Sequence, residues 1–363
     1  MTKKINAVQF GLGPIGQLCA KTILQKHSGR INLVGAVDID PSKVGKDIGE
    51  LVGVGSTGII VENNIKSIVK KHKVNLVFHT TTSFMEDVKE QIIDLIKLKL
   101  NVVSSTEELF FPWFRNRQIA EEIDLLAKKF KVRVLGTGVN PGFVMDVLPS
   151  VLTQVCTEVK KIRVERVVNA SKRRLPLQLK IGAGLKVGDF KAKKATGKFG
   201  HIGLVESLQF LAYILNIQLD EIKEELNPIV TKRNLKTEYL TIQKGRVAGI
   251  HHTAIGFKNG QDVITLDLKM YVGDHKDYDA VYIDGEPPIK MKVLNGIFGD
   301  VATVGSLINS AYLIFNAKPG LITMADIGLP HGFLRQRQGK FFLLFSCHQY
   351  TLPFLGFHNL LNF

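Results

Sequence analysis

The strongest constraint on this chain is a glycine-rich turn near its beginning, placed between an apolar run and a helical pattern. Residues 6–10 read Asn-Ala-Val-Gln-Phe, as in a buried strand, and residues 11–16 read Gly-Leu-Gly-Pro-Ile-Gly. In such a G-x-G-x-x-G turn the first glycine permits the turn, the second lets backbone approach a pyrophosphate, and the third lets the helix pack on the strand. The free N–H groups at the start of the helix then face the phosphates. The predicted dinucleotide-binding residues of this turn are Gly11, Gly13, Pro14, Ile15 and Gly16.

An acidic residue after the next apolar run supports this interpretation. Residues 31–37 form a second predicted strand, and Asp38 follows it, 22 positions after Gly16. An acid about 20 residues beyond the glycines is where the ribose hydroxyls are held in dinucleotide-binding folds. A purely structural strand–helix–strand turn is the alternative, but the ordered set of strand, helix, strand and acid favours dinucleotide binding.

The first 150 residues alternate short apolar runs with helical patterns, which predicts an α/β fold with an N-terminal Rossmann-type, doubly wound parallel sheet. Further strands are predicted at residues 75–79, 101–105 and 132–135, with the last closing the set. Helices are predicted at 85–97 and 119–130, and another is expected to begin within 41–46.

Polar or glycine-rich residues follow each predicted strand. Because ligands of open α/β sheets bind outside the carboxyl ends of the strands, these segments are expected to meet at one site. The further predicted cofactor-binding residues are Asp38, Thr80, Thr81, Thr82, Asn140 and Pro141. Residues 140–142 read Asn-Pro-Gly, and turn chemistry alone does not separate an ordinary turn from a rigid loop pressing on a nicotinamide.

The character of the sequence changes near residue 151. Residues 159–168 alternate charged and apolar side chains with the period of a strand, and Asn259-Gly260 predicts a hairpin turn between two similar stretches. Helices are expected around 202–215 and 301–315, and the second of them is expected to return to the first domain. The predicted organisation is a dinucleotide-binding domain at 1–150, an α+β substrate and dimerisation domain at 151–333, and an unassigned tail at 334–363.

Length and composition limit the class of protein. A chain of 363 residues is expected to hold two domains. The beginning of the sequence does not resemble a signal peptide, and residues 1–330 contain no charge-free apolar run of membrane-spanning length. We therefore expect a cytoplasmic protein without membrane association. The three cysteines, Cys19, Cys156 and Cys347, show neither a disulfide framework nor zinc-site spacing.

The formal charge of +15 raises the question of nucleic-acid binding. The lysines are spread along the chain and no nucleic-acid-binding motif is present, so a solvated surface is the preferred interpretation. Adjacent residues of a strand point to opposite faces, so the pair His251-His252 does not predict a metal site, and no metal is expected.

Two neighbouring glutamates, Glu107 and Glu108, follow the strand predicted at 101–105. A desolvated carboxyl group at this edge of the sheet is suited to general acid/base catalysis. Carboxylates that stabilise the start of a helix are the alternative, and spacing alone favours that alternative.

Several segments together resemble the 2,4-diaminopentanoate dehydrogenases and the amine dehydrogenases similar to them. The matching segments are residues 11–16, 35–46, 107–113, 136–143, 200–207, 247–252 and 316–326. The likeness extends from about residue 4 to 333. It implies NAD(P)-dependent oxidative deamination of a C–NH₂ centre, or the reverse reductive amination of a small ketone or aldehyde with ammonia.

The resemblance also implies residue roles. One of Glu107 and Glu108 is the acid/base, with a slight preference for Glu108, and the implied substrate residues are Val139, Asn169, His201 and His252. From the residues alone, a histidine beside glycines, such as His201, is more often a hydrogen-bonded structural group. Ala170 stands where the diaminopentanoate enzymes tend to carry an aspartate, which weakens the case for a second amine on the substrate. The basic residues 172–174 are interpreted as a solvated surface or as partners of a substrate carboxylate.

Asp38 favours NAD over NADP, because a carboxylate accepts hydrogen bonds from the ribose hydroxyls and repels a 2′-phosphate. Lys43 lies close enough in the sequence to leave use of NADP open. A homodimer formed through the sheet of the second domain is expected. The alternatives are a 2,4-diaminopentanoate dehydrogenase proper and a non-catalytic dinucleotide sensor.

Overall fold

The computed structural model describes residues 4–332, so the predicted tail at 334–363 lies outside the described residues. A seven-stranded sheet in which every pairing is parallel forms the first layer. Its strands are β1 (Ile5–Phe10), β2 (Ile31–Val37), β3 (Val61–Glu62), β4 (Leu76–His79), β5 (Asn101–Ser104), β6 (Arg133–Gly136) and the late strand β15 (Gly320–Ile322). The spatial order is β15-β6-β5-β4-β1-β2-β3, so the strand order reverses between β4 and β1.

A six-stranded mixed sheet forms the second part of the fold. It contains β7 (Glu158–Asn169), β8 (Glu221–Val230), β11 (Val247–Lys258), β12 (Gln261–Tyr271), β13 (Tyr278–Glu286) and β14 (Ile289–Leu294), in the order β14-β13-β7-β12-β11-β8. A separate two-stranded ribbon is formed by β9 (Leu235–Lys236) and β10 (Thr241–Ile242). The fold class predicted from the sequence, a parallel Rossmann sheet with a second α+β part, is confirmed.

Helices cover both sheets. They are α1 (Pro14–Thr22), α2 (Ile48–Leu51), α3 (Ile65–Lys71), α4 (Met85–Lys97), α5 (Arg117–Phe130), α6 (Val147–Leu152), α7 (Leu175–Lys180), α8 (Val187–Ala195), α9 (Leu204–Ile214) and α10 (Gly299–Leu313). The helix α4 shows why these segments are helical: its apolar side chains recur on one face, and that face is buried against the parallel sheet. None of the helices in residues 4–332 combines the length and apolarity needed to cross a membrane.

The helix α10 packs on the helix α1. Leu307 and Ile308 share a hydrophobic core with Cys19 and Ala20, all of them buried. Burial also raises the pKa of the Cys19 thiol. This packing brings a segment that follows the mixed sheet in sequence back to the parallel sheet.

The helix expected to begin within residues 41–46 is absent from the structure. Asp40 folds this segment into turns instead: its side chain accepts a hydrogen bond of 2.9 Å from the amide of Ser42, and its carbonyl accepts one from Lys43. Gly45 then adopts a positive φ of 84°. A helix begins only at Ile48, where the side chain of Asp47 accepts the amide of Gly49 as an N-cap.

The hairpin predicted at Asn259-Gly260 is present and joins β11 to β12. Both residues have positive φ angles, 51° and 75°, as a two-residue hairpin turn of this type requires.

Candidate active site

A cavity of about 340 Å³ lies at the carboxyl ends of the parallel strands, beside the point where the strand order reverses. Four strand-end segments of the first sheet contribute to its wall. These segments are Gly13–Ile15 after β1, Thr80–Ser83 after β4, Ser105 and Glu107 after β5, and Gly138–Pro141 after β6. Four of the strand ends expected from the sequence therefore meet here, whereas Asp38, after β2, is not among the lining residues. The rest of the wall comes from the region after residue 165.

The three glycines of the first turn have different surroundings. A Cβ on Gly11 would lie 2.6 Å from the carbonyl oxygen of Thr80, and one on Gly16 would lie 2.0 Å from the carbonyl oxygen of Gly11. A Cβ on Gly13 would meet no protein atom within 4 Å. Gly11 and Gly16 are thus required by the packing of the protein, whereas Gly13 leaves open space at the start of α1, where a pyrophosphate is held in this fold.

Asp38 lies at the end of β2 beside the same turn. Its Oδ2 accepts a hydrogen bond of 2.6 Å from the amide of Leu12, and its Oδ1 accepts one of 2.8 Å from the amide of Asp40. Lys43 Nζ lies 3.5 Å from Oδ2 of Asp38 and 3.2 Å from Oδ2 of Asp40. The carboxylate is therefore fixed in orientation, with a cation close to it.

Hydrogen bonds hold the segment after β4 against the glycine turn. The hydroxyl of Thr80 donates to the carbonyl of Gly11 at 2.9 Å and accepts from the side chain of Gln9 at 2.8 Å. The hydroxyl of Thr81 lies 3.1 Å from Nε2 of the buried His79. Burial lowers the pKa of His79 to about 4, so its ring is neutral near pH 7. Thr80, Thr81 and Thr82 all line the cavity.

Asn140 and Pro141 line the cavity after β6. Among the described residues, neither amide atom of the Asn140 side chain has a hydrogen-bond partner, although both atoms are buried. A buried amide normally has partners, so this side chain has both a donor and an acceptor available for a ligand. Together with the open space at Gly13, this shows that the residues present fit a nicotinamide dinucleotide.

The two candidate glutamates point to different places. Glu107 lines the cavity, and its Oε1 lies 3.3 Å from Lys180 Nζ. Glu108 is not among the residues that line it; its Oε2 accepts a hydrogen bond of 2.8 Å from the amide of Met85, the first residue of α4, and one of 3.2 Å from the side chain of Asn116. Only Glu107 is positioned to meet a molecule in the cavity.

Two glycines allow Glu107 to reach this position. A Cβ on Gly136 would lie 2.4 Å from the backbone of Leu109, so this glycine lets the 3₁₀ turn Glu107–Phe110 pack on β6. Gly203, which has a φ of 97°, would place a Cβ 2.5 Å from Pro141 and 3.2 Å from Cβ of Glu107. Gly203 therefore permits a close approach of the start of α9 to both cavity segments.

The two histidines among the candidate substrate residues differ in their access to the cavity. His201 is part of its wall, and its Nε2 lies 3.2 Å from the carbonyl oxygen of Asn140. Burial lowers the pKa of His201 well below its ordinary value, and electrostatic interaction with the nearby His252 lowers it further. His252 is buried behind it, with the ring centroids 5.8 Å apart, and its Nε2 lies 3.0 Å from Glu224.

The other two candidate substrate residues also differ. Val139 lines the cavity, whereas Asn169 is not among its lining residues. The side chain of Asn169 donates to the carbonyls of Gly273 and His275, each at 2.8 Å, and accepts from the amide of Ser171. These bonds give Asn169 a role in shaping the end of β7.

The structure adds charged residues to the site. Sequence reasoning did not select Lys180, Arg166 or Asp300, whereas Arg173 and Arg174 belong to the basic segment 172–174, for which it left open a solvated surface or a substrate carboxylate as partner. Lys180, Arg166, Arg173, Arg174 and Asp300 all line the cavity. Arg166 could have been recognised from the sequence, because it occupies a position of β7 where the alternation of the strand predicts an apolar residue. It is buried there and forms an ion pair with Asp279 at 2.7 Å. Within residues 4–332, no group of three or more His, Cys, Asp and Glu side chains has the arrangement of a metal site.

Two known proteins with similar sequences are dehydrogenases that act on amines. The family model of the 2,4-diaminopentanoate dehydrogenase C-terminal domain matches residues 143–341. The chain is 29% identical over 340 residues to 2,4-diaminopentanoate dehydrogenase of Acetoanaerobium sticklandii, covering 92% of this chain and 96% of the relative. It is 22% identical to an amine dehydrogenase of Streptomyces virginiae, covering 90% and 96%.

The structural comparison agrees on the fold. A solved amine dehydrogenase from Mycobacterium smegmatis superposes with a TM-score of 0.81 at 20% identity, covering 92% of this chain and 98% of that one. A probable dehydrogenase from Thermotoga maritima gives a TM-score of 0.55 at 13% identity, covering 89% and 92%.

The parallel sheet, the glycine turn and the cavity at the strand ends define a Rossmann-fold dehydrogenase, and the chain is an oxidoreductase. Since the family model covers more than half of its residues, the chain belongs to the 2,4-diaminopentanoate dehydrogenase C-terminal domain family.

Proposed function

We propose that this protein is an NAD(P)-dependent amine dehydrogenase that converts small ketones or aldehydes to amines with ammonia and catalyses the reverse oxidative deamination. The observation that carries the proposal is the position of Glu107, whose side chain lines the same cavity as the glycine turn and Thr80–Ser83. The amine-specific names of the relatives from Acetoanaerobium and Streptomyces support this choice of reaction.

The proposed cofactor-holding residues are those that already surround the strand ends. The start of α1 at Gly13 takes the pyrophosphate, Asp38 the ribose hydroxyls, and the side chain of Asn140 the carboxamide. When bound, the nicotinamide supplies or accepts a hydride. NAD is the favoured cofactor because a carboxylate at Asp38 repels a 2′-phosphate, while Lys43 leaves use of NADP open.

The proposed role of Glu107 is proton transfer. In the aminating direction the overall change consumes the carbonyl compound, NH₄⁺, NAD(P)H and H⁺, and it yields the protonated amine, NAD(P)⁺ and water. The Glu107 carboxylate takes a proton from the attacking nitrogen and returns one to the departing hydroxyl group, and in reverse it activates the attacking water. Lys180, 3.3 Å away, holds Oε1 of Glu107 in place.

The other proposed residues shape the substrate end. His201 lies on the cavity wall with a lowered pKa, so a neutral ring faces the substrate near pH 7. Val139 supplies an apolar contact on the same wall. His252 and Asn169 act from behind, by holding His201 and the end of β7 in position.

The experiment that tests this function measures oxidation of NADH and of NADPH with excess ammonia against a panel of small ketones and aldehydes. We expect consumption that depends on both ammonia and the carbonyl compound, and faster with NADH. In the oxidative direction 2,4-diaminopentanoate is tested beside simple amines, because the relative that is 29% identical bears the name of that activity. A high rate with the diamino acid alone would identify a 2,4-diaminopentanoate dehydrogenase.

If the protein binds NADH tightly but no compound of the panel is converted, the proposed function is wrong and the protein is a non-catalytic dinucleotide sensor. Glu107 on the cavity wall argues against a sensor, because binding a dinucleotide requires no proton-transfer group.

We further propose a cytoplasmic homodimer formed through the mixed sheet, with domains divided near residue 150. Sedimentation velocity of the purified protein tests the dimer.

A further inference from the structure

Asp146 is a fully buried carboxyl group close to the cavity, and the proposed reaction leaves it without a role. It precedes α6, and none of its surface is exposed. Burial raises the pKa of Asp146 to about 6, and hydrogen bonds to the carboxylate oppose this rise. A buried carboxylate is costly for a folded protein unless its oxygens have hydrogen-bond partners. The partners of Asp146 therefore indicate what it does.

The two oxygens of this carboxylate accept hydrogen bonds from three donors. Oδ2 accepts from the backbone amide of Gly142 at 3.0 Å and from the hydroxyl group of Ser207 at 2.7 Å. Oδ1 accepts from the backbone amide of Val147 at 2.7 Å, which caps the start of α6. Asparagine caps a helix as well as aspartate does, so the cap alone does not require a carboxylate.

The amide of Gly142 does require one. A carboxamide at position 146 that kept the cap would turn its NH₂ group towards the N–H of Gly142, and two donors would then face each other. The hydroxyl group of Ser207 can donate or accept, so it adapts to either side chain. The carboxylate is thus specifically matched to the bridge from Gly142 through Asp146 to Ser207.

This bridge joins the cavity loop, residues 138–142, to the helix α9. Gly142 has a φ of 126°, and a Cβ on it would lie 2.1 Å from the backbone nitrogen of Gly138. The cavity loop therefore closes tightly on itself, and fixing the amide of Gly142 restricts the whole loop. The loop carries Asn140, whose side-chain amide is buried beside the cavity without a partner among the described residues.

The same helix also approaches Glu107. At its start, Gly203 lies so close to the cavity loop and to Glu107 that a Cβ would be 2.5 Å from Pro141 and 3.2 Å from Cβ of Glu107. One turn further along, Ser207 holds the loop through Asp146. Two contacts with one helix thus orient the cavity loop relative to Glu107.

We propose that Asp146 is a positioning residue, which holds the cavity loop on α9 and thereby directs the side chain of Asn140 to the nicotinamide. The proposal rests on the proposed function, which assigns Asn140 to the carboxamide of the nicotinamide and Glu107 to proton transfer. It makes Asp146 important for the nicotinamide end of the cofactor only. The other end is assigned to the glycine turn and Asp38, which Asp146 does not contact.

Comparison of NADH with ADP-ribose, which lacks the nicotinamide, tests this role by isothermal titration calorimetry. At about pH 8 the carboxyl group of Asp146 is ionised, since its pKa is about 6. We expect the wild type to bind NADH more tightly than ADP-ribose. Asp146→Asn should weaken the binding of NADH by roughly 10-fold, because a hydrogen bond to a charged group is lost, and should leave the affinity for ADP-ribose within about twofold of the wild type.

Two further variants separate positioning from general stability. Asp47 is also a buried carboxylate that accepts backbone amides, those of Gly49 and Gly58, but it does not line the cavity. Asp47→Asn should lower the unfolding temperature and keep the wild-type ratio of the two dissociation constants. Ser207→Ala removes the other end of the bridge and should weaken NADH binding selectively, and the double variant should bind NADH no more weakly than Asp146→Asn, because both residues act through the same bridge.

Equal weakening of NADH and ADP-ribose binding in Asp146→Asn would overturn the proposal, since a general loss of structure affects both ligands. Unchanged binding of NADH in Asp146→Asn, or equal affinity of the wild type for the two ligands, would overturn it as well. If Asp146→Asn does not fold, the same comparison in Ser207→Ala decides.

Turnover distinguishes a failure of this proposal from a failure of the proposed function. With ammonia, a carbonyl compound and saturating NADH, kcat of Asp146→Asn should fall by roughly 10-fold or more, because hydride transfer depends on the orientation of the nicotinamide. An unchanged kcat would overturn the positioning role and keep the function. Selective weakening of NADH binding in Asp146→Asn, combined with a wild type that aminates no carbonyl compound, would keep the positioning role and reject the function.

Discussion

The backbone amide of Met85 donates a hydrogen bond of 2.8 Å to Oε2 of Glu108. In return, the amide of Glu108 donates to the carbonyl of Ser83 at 3.1 Å. Glu108 thus joins the turn after β5 to the beginning of α4, where a carboxylate also interacts favourably with the helix dipole. Its neighbour Glu107 is left free to face the cavity.

Because Glu107 lines the cavity and Glu108 does not, the same substitution is expected to have different effects at the two residues. Glu107→Gln should lower kcat by roughly 10²-fold or more, because a carboxamide cannot accept the proton, while NADH still binds. Steady-state kinetics and fluorescence titration of NADH measure the two quantities.

Glu108→Gln is the matched control. It should keep turnover near the wild-type value and lower the free energy of unfolding by about 0.5 to 1 kcal/mol, because the charge at the start of α4 is lost. Full activity in Glu107→Gln would refute the assignment of the acid/base, and a large loss of kcat in Glu108→Gln would transfer it to that residue.

The glycine turn gives a second matched pair. Gly13→Ala should change the free energy of unfolding by less than about 0.5 kcal/mol, since the new methyl group meets no protein atom within 4 Å. It should nevertheless weaken the binding of NADH, because the methyl group occupies the space that we assign to the pyrophosphate. Gly11→Ala should destabilise the protein instead, since Gly11 has a φ of 88° and its Cβ would lie 2.6 Å from Thr80. Thermal unfolding and NADH titration of both variants separate these roles, and unchanged NADH affinity in Gly13→Ala would be incompatible with the proposed cradle.

Asp38→Ala should weaken the binding of NADH more than that of NADPH. The carboxylate accepts the ribose hydroxyls in the proposed complex, and its removal also relieves repulsion of a 2′-phosphate beside Lys43. The ratio of the two dissociation constants is the measurement, with the nearby Asp40→Ala as a comparison. A constant ratio would place cofactor selection at other residues.

Glu206 predicts a pH dependence of stability. Burial raises the pKa of this carboxyl group to about 7, and the nearby Arg115 opposes the rise. The folded state therefore holds the proton more tightly than the unfolded chain, whose pKa is near 4.5. This contribution to stability is complete below about pH 4.5 and is lost as the pH rises through about 7, by up to roughly 3 kcal/mol.

Denaturant unfolding of the wild type and of Glu206→Gln at several pH values checks this effect. The two stability curves should separate between about pH 4.5 and 7, with the variant losing less stability. Asp146, whose pKa burial raises to about 6, remains in both proteins and gives the same sign of pH dependence. Parallel curves would show that Glu206 has no elevated pKa.

Much of the parallel sheet could be predicted from the sequence, because its buried strands are continuous apolar runs between helical patterns. The strands β3 and β15, with two and three residues, were not predicted, since so short a run has no detectable period. The helix α8 was also missed: only Phe190 is buried in it, so it lacks the apolar stripe that identifies a helix.

The part of the cavity beside the glycine turn, which we assign to the cofactor, was predictable for a topological reason, since the carboxyl ends of parallel strands lie at one edge of the sheet. The part that we assign to the substrate was only partly predictable. Lys180 reaches the cavity because residues 173–181 border the same cavity as the strand ends of the parallel sheet, and no local pattern records that position. For the basic segment 172–174, the sequence left a solvated surface and a substrate carboxylate as alternatives. The choice between Glu107 and Glu108 likewise depends on Met85, which is distant in sequence from both.

The helix α10 has a mechanical consequence. Its first turn, at Gly299 and Asp300, borders the cavity, and so does the first turn of α1 at Pro14. Further along, both helices contribute side chains to one buried apolar cluster, which includes Leu307 and Cys19. A substitution that changes the volume of this apolar cluster is therefore expected to shift the first turns of both helices, and with them two parts of the cavity wall.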